Sequence, residues 1–136
     1  AFLHRKKAAD IAKYLIKKLD IATPGIHTPV RMLSGGNVQK VLLGREIEAG
    51  RDVLIVSYPV RGLDINSSYM IYNLLDEERK RGTAIIFVGE DLDVLMALSD
   101  RIMVMADHRI AGITDARTVT KDYLGSLMTD TKGQVI

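Results

Sequence analysis

The spacing of apolar residues divides the chain into a helical stretch followed by alternating strands and helices. Ala8, Ile11, Leu15 and Leu19 recur at helical intervals and predict an amphipathic helix up to about Asp20, with Tyr14 and Lys18 flanking its stripe. Lys6, Lys7, Lys13 and Lys17 read as its solvated face. Thr23-Pro24-Gly25 breaks the pattern. A second helix is expected from Ser34, whose hydroxyl can accept an orphan N–H of the first turn. Val38, Val41, Leu42 and Arg45 follow along one side, and Gly50 suits the C-terminal stop. Gly44 inside this helix costs roughly 1 kcal/mol against Ala, which close packing against a neighbour would explain.

Val53-Leu54-Ile55-Val56 is a short β-branched run, the pattern of a strand buried on both faces, and Pro59 ends it. A helix is predicted over 67–81, with Met70, Ile71, Leu74 and Leu75 inward and Gly82 as its stop. Residues 84–88 read as a second buried strand, 91–98 as a short helix and 102–105 as a third strand. Asp107-His108 makes a turn into a hairpin partner over 109–113, and a last short helix is expected over 121–128. A helical piece followed by strand–helix–strand–helix–strand predicts an α/β fold with a mostly parallel sheet.

Composition narrows the chemistry. The 136 residues suffice for one domain with a core. There is no cysteine, which excludes disulfides, thiolate metal sites and cysteine nucleophiles. His4, His27 and His108 lack metal-ligand spacing, so no metal site is expected. A net charge of +2 without a long basic run gives nucleic acid little grip. No apolar stretch approaches the ~20 residues that span a bilayer.

The most informative segment is Leu33-Ser34-Gly35-Gly36-Asn37-Val38-Gln39-Lys40. Ser-Gly-Gly at a helix start presents backbone N–H groups at the positive end of the helix dipole, with no side chain to block an approaching phosphate oxygen. By themselves these residues read first as a capped helix with two loop glycines. Three further segments follow in order: Pro59-Val60-Arg61-Gly62-Leu63-Asp64, Phe87-Val88-Gly89-Glu90-Asp91-Leu92, and Leu98 to Met105. Together they resemble the signature sequence (usually LSGGQ), the Walker B-to-D-loop stretch, the switch segment and the following strand of ABC ATPases. The LSGGN-x-QK signature, the Arg-Gly-Leu-Asp loop and Gly-Glu-Asp-Leu-Asp look like the C-terminal nucleotide-binding half of a nucleoside or simple-sugar importer. Leu124-Gly125-Ser126-Leu127-Met128-Thr129 resembles the tail of that group.

The resemblance implies a helical signature subdomain over 1–50, part of a RecA-like P-loop NTPase core over 51–114, and a C-terminal helix and tail over 115–136. No Walker A sequence, GxxGxGKS/T, is present, so the chain is expected to be a fragment whose first helix follows Walker A and the Q-loop. Ser57 stands where the family has the Walker B aspartate, Tyr58 at the catalytic glutamate and Glu90 at the switch histidine. A phenol with a pKa near ~10 cannot activate water at neutral pH, and Ser57 adds no charge for magnesium. These three positions imply a degenerate site. Ser34, Gly35, Gly36 and Asn37 would instead contact ATP, with its Mg2+, at the partner half's site, and Asp64 would lie at the same interface. The implied partners are the other nucleotide-binding half, transmembrane permease subunits and a solute-binding protein, at the cytoplasmic face of the membrane. The isolated chain is expected to bind ATP and Mg2+ weakly, and its incomplete sheet invites self-association. Either strand 84–88 pairs directly with 102–105, or another chain fills the gap. The alternative is a soluble, non-transporter ABC ATPase acting on nucleic acid or as a regulatory scaffold.

Overall fold

The computed structural model describes residues 5–129. The chain falls into two compact units that divide between Ile86 and Phe87. The first carries α1 (Arg5–Lys18), a 3-10 turn over Val30–Met32, α2 (Gly35–Glu48), β1 (Val53–Ser57), α3 (Ile65–Lys80) and the start of β2 (Ala84–Val88). The second holds α4 (Leu92–Leu98), β3 (Arg101–Ala106), β4 (Arg109–Asp115) and α5 (Lys121–Thr129).

In the first unit α1 packs on α2 and α2 on α3. Of the expected α1 stripe, Leu15 and Leu19 are buried and Ile11 is half-buried, whereas Ala8 is exposed, and Lys18 lies over the Tyr14 ring at 5.4 Å from its centroid. The inward face of α2 is rotated from the expected one. Lys40, Leu43, Gly44 and Ile47 are buried, whereas Leu42 is exposed. Gly44 explains the rotation: a Cβ there would lie 2.7 Å from Leu19 Cδ1 and 2.8 Å from Leu15 Cδ2. The two helices meet where α2 has no side chain. Gly50, at φ +64°, ends α2 in the left-handed conformation glycine tolerates.

α3 begins two residues before the expected Ser67 because Asp64, not a later residue, is its N-cap. Ile71, Leu74 and Leu75 are buried, as their spacing predicts. Glu78 is buried with them, and its carboxylate accepts from Arg81 Nη1 at 2.6 Å.

β1 and β2 form a parallel pair joined through α3. The expectation that both strands are buried on two faces does not hold. Leu54 and Val56 are buried, but Ile55 is 68% exposed and Ile86 50%. A two-stranded sheet with its helices on one side covers only alternate residues. An all-apolar strand therefore leaves half its side chains uncovered.

In the second unit β3 pairs antiparallel with β4 around the Asp107–His108 turn, both residues at positive φ, with an irregularity between Val104 and Met105. Ile102, Val104, Ala116 and Leu124 form its core, packed by Leu92, Leu95, Met96 and Leu127. Among the described residues, β1 and β2 form one two-stranded sheet and β3 and β4 another. Backbone groups of β3 find their partners in β4. The tail beyond Thr129 and residues 1–4, including His4, lie outside the described residues.

Candidate functional site

Two helix starts in the first unit face one cleft. Ser34 caps α2 in extended backbone conformation (φ −64°, ψ 156°), and its Oγ accepts the backbone N–H of Asn37 at 3.5 Å. Asn37 Nδ2 donates to the same oxygen at 2.9 Å, and Asn37 Oδ1 accepts the Ala22 N–H at 3.0 Å. The first amides of a helix lack intrahelical acceptors, which leaves those of Gly35 and Gly36 at the positive end of the dipole. Nothing lies within 4 Å of a Cβ built on Gly35, whereas one on Gly36 would lie 2.8 Å from Leu63 Cδ2. Gly36 thus lets the 58–63 loop approach the helix start.

That loop is compact. Arg61 N–H donates to Tyr58 O at 3.1 Å and Leu63 N–H to Val60 O at 3.0 Å, with Gly62 at φ +77°. It delivers Asp64 to the start of α3. Asp64 Oδ1 accepts the Ser67 N–H at 2.9 Å and Oδ2 accepts the Ser67 hydroxyl at 2.7 Å. The backbone N–H of Ser67, then its hydroxyl, hold the Asp64 carboxyl below its ordinary pKa, and the Lys40 charge adds to this.

The cleft measures about 780 Å³ and is lined by Ser34, Gly35, Gly36, Asn37, Lys40 and Asp64 among others. Lys40 is 7% exposed, and its ammonium donates to the Asp20 carbonyl at 3.1 Å, where Asp20 turns at φ +46°. Gln39 Nε2 donates to the Arg61 carbonyl at 3.1 Å, while Gln39 Oε1 is buried with no hydrogen-bond partner among the described residues. Gln39, Lys40 and Arg61 are residues whose place in the cleft the motif does not assign. Gln39 and Lys40 belong to the signature segment and Arg61 to the Arg-Gly-Leu-Asp loop, but neither motif says what these side chains bind.

Glycines without side chains, orphan helix amides, a hydroxyl and a buried ammonium fit an anionic phosphate oxygen. They do not fit a divalent cation. The Asp64 oxygens are both engaged by Ser67, and among the described residues no three His, Cys, Asp or Glu side chains group as metal ligands would.

Ser57 and Tyr58 are not among the residues that line the cleft. Ser57 ends β1, and Tyr58 follows it at φ +48°, a conformation uncommon for a residue with a bulky side chain. Glu90 belongs to the second unit, exposed, next to Asp91, whose Oδ1 caps α4 by accepting from Asp93 and Val94.

No family model matches the chain. Individual relatives do. The ribose import ATP-binding protein RbsA of Bacillus subtilis is 40% identical over 127 residues, 93% of this chain and 26% of that protein. The guanosine import ATP-binding protein NupO of the same organism is 39% identical over 126 residues, 93% of this chain and 25% of the relative. The arabinose import ATP-binding protein AraG of Burkholderia pseudomallei is 44% identical over 112 residues, 82% of this chain and 22% of the relative. The chain thus spans about a quarter of the length of the curated relatives it matches. Among solved structures, the dimeric bacterial ABC transporter cassette MJ0796 superposes with a TM-score of 0.73 at 20% identity, over 88% of this chain and 51% of that one. The same cassette in a post-hydrolysis state with ADP and phosphate superposes equally well. Relatives along nine-tenths of the sequence and a shared cassette fold agree: the chain belongs to the ABC family of ATP-binding subunits.

Proposed function

We propose that this chain is the signature-bearing part of the second ATP-binding half of an importer for a sugar or nucleoside. In this reading it completes an ATP site whose Walker A lies on the partner half. The observation that carries it is the cleft, in which Ser34, Gly35 and Gly36 stand across from the Asp64 loop. Bound there, ATP would supply the phosphate oxygens that this set of donors suits. Ser34 would donate its hydroxyl, the glycine amides would bear on the same anion, and Lys40 would add positive charge. Mg2+ would be held by residues of the partner site.

Ser57, Tyr58 and Glu90 support the further reading that this half's own catalytic positions are degenerate. Ser57 and Tyr58 lack the carboxylates, and Glu90 the imidazole, that the family uses at these positions. The intact subunit would then hydrolyse ATP chiefly at the other site, at the cytoplasmic face of the membrane and against permease subunits served by a solute-binding protein. The relatives' names run over ribose, guanosine and arabinose, so the solute class stays at sugar or nucleoside.

The test is Ser34→Arg in the full-length subunit with its membrane partners. A guanidinium chain in the cleft mouth displaces the phosphate, and ATPase activity falls at least ~10-fold. Normal turnover in that variant refutes the proposal.

A further inference from the structure

We infer that Asn37 is a positioning residue that leaves the Ser34 hydroxyl only one thing to do, which is to donate into the cleft. The inference rests on the phosphate reading of the cleft given above. A serine hydroxyl has one O–H to give and two lone pairs to receive. Both lone pairs of Ser34 are addressed by the same residue, through the Asn37 backbone N–H at 3.5 Å and its Nδ2 at 2.9 Å.

The amide could reverse this arrangement by flipping its oxygen toward Ser34. The hydroxyl would then turn inward and donate to Asn37. The Ala22 backbone prevents it. Its N–H donates to Asn37 Oδ1 at 3.0 Å, so a flipped amide would set two donors against each other. The chain Ala22 N–H to Asn37 amide to Ser34 Oγ therefore runs in one direction. Its free end is an O–H on the cleft wall. An acceptor with no proton of its own, such as a phosphate oxygen, is what such an end binds, and the donor needs no reorientation when the anion arrives.

The experiment is a double-mutant cycle in the full-length subunit assembled with its membrane subunits, read as kcat and KM for ATP. Ser34→Ala and Asn37→Leu are made singly and together; leucine keeps the volume and neutrality of the amide but has neither donor nor acceptor. Asn37→Leu is expected to lower kcat/KM about 10-fold when Ser34 is present, and less than ~2-fold when position 34 is alanine. Equal losses in the two backgrounds, or no loss with Ser34 present, overturn the inference while leaving the phosphate reading standing. A Ser34→Ala variant with unchanged kinetics removes the phosphate reading and this inference together.

Should Asn37→Leu fail to fold, Asn37→Asp provides the second arm as a pH profile. The ionised carboxylate accepts the Ser34 O–H and turns it inward, whereas the protonated acid returns a donor to Ser34. Activity is expected to recover as pH falls through the titration of the introduced carboxyl, and this recovery is expected to vanish in the Ser34→Ala background. Recovery of equal size in both backgrounds overturns the inference.

Discussion

Gly44 and Gly125 each sit in the interior of a helix, and replacing each with alanine is expected to change stability by different amounts. At Gly125, in α5, nothing lies within 4 Å of an added Cβ. Alanine there gains the helix-propensity difference, about 1 kcal/mol. At Gly44, in α2, the same methyl meets Leu19 Cδ1 at 2.7 Å and Leu15 Cδ2 at 2.8 Å, and both leucines are buried. Neither can swing into solvent, so overpacking of roughly 1–3 kcal/mol opposes the propensity gain. Gly44→Ala is thus expected to be neutral to destabilising by up to ~2 kcal/mol. The propensity term cancels in the comparison, leaving a contrast of about 1–3 kcal/mol that belongs to packing alone. Because the glycines lie in different units, one global melting curve would blur them. Amide exchange read helix by helix separates them. The change in protection of α5 in Gly125→Ala is expected to exceed that of α2 in Gly44→Ala by roughly 5- to 150-fold. If Gly44→Ala raised α2 protection as much as Gly125→Ala raises that of α5, the claim that α1 and α2 meet through a missing side chain would be wrong.

Restoring carboxylate and imidazole together, Tyr58→Glu with Glu90→His, is expected to leave steady-state ATP turnover of the full-length subunit unchanged, because Ser57 still adds no charge for magnesium; a doubling of turnover would refute the account of degeneracy. The Asp64 cap carries a pH signature. Its folded pKa lies below the ordinary value of 3.8, so the stability it contributes is complete above that value and is lost as pH falls through the folded pKa. In an acid titration followed by exchange at the start of α3, wild type minus Asp64→Asn is expected to be constant above about pH 5 and to shrink below 3.8. A difference that grew with acid would mean the cap binds the protonated form.

The helix caps and helix stops are legible in the sequence because they depend on nearest neighbours. Ser34 reaches only as far as Asn37, and Gly50 and Gly82 need only their own φ. The apolar stripe of α1 is legible at Leu15 and Leu19 but not at Ala8, which is exposed. Burial of Lys40 is not legible. Its partner is a main-chain oxygen 20 residues away, and nothing in the identity of Asp20 announces that its carbonyl is free. The strands mislead in the other direction. Val53 to Val56 is apolar at every position, so alternation offers no sign of which face is covered, and Ile55 and Ile86 are exposed where the pattern predicts a buried sheet. The motif residues are legible as a group, yet only the fold brings Ser34 and Asp64, 30 positions apart in sequence, to one cleft.

Three polar side chains near the start of α2 reach across space, and each ends on a main-chain atom: Asn37 on the Ala22 N–H, Gln39 on the Arg61 carbonyl, Lys40 on the Asp20 carbonyl. This makes the two ends of each bond unequal under mutation. Any residue at 20 or 61 still offers a carbonyl, and any residue except proline at 22 still offers an N–H. The loops are therefore free to drift in identity as long as they hold their path, whereas α2 must keep its amides and its ammonium. Among descendants of this sequence, variation at 20, 22 and 61 carries little cost to these ties, and selection falls on 37, 39 and 40.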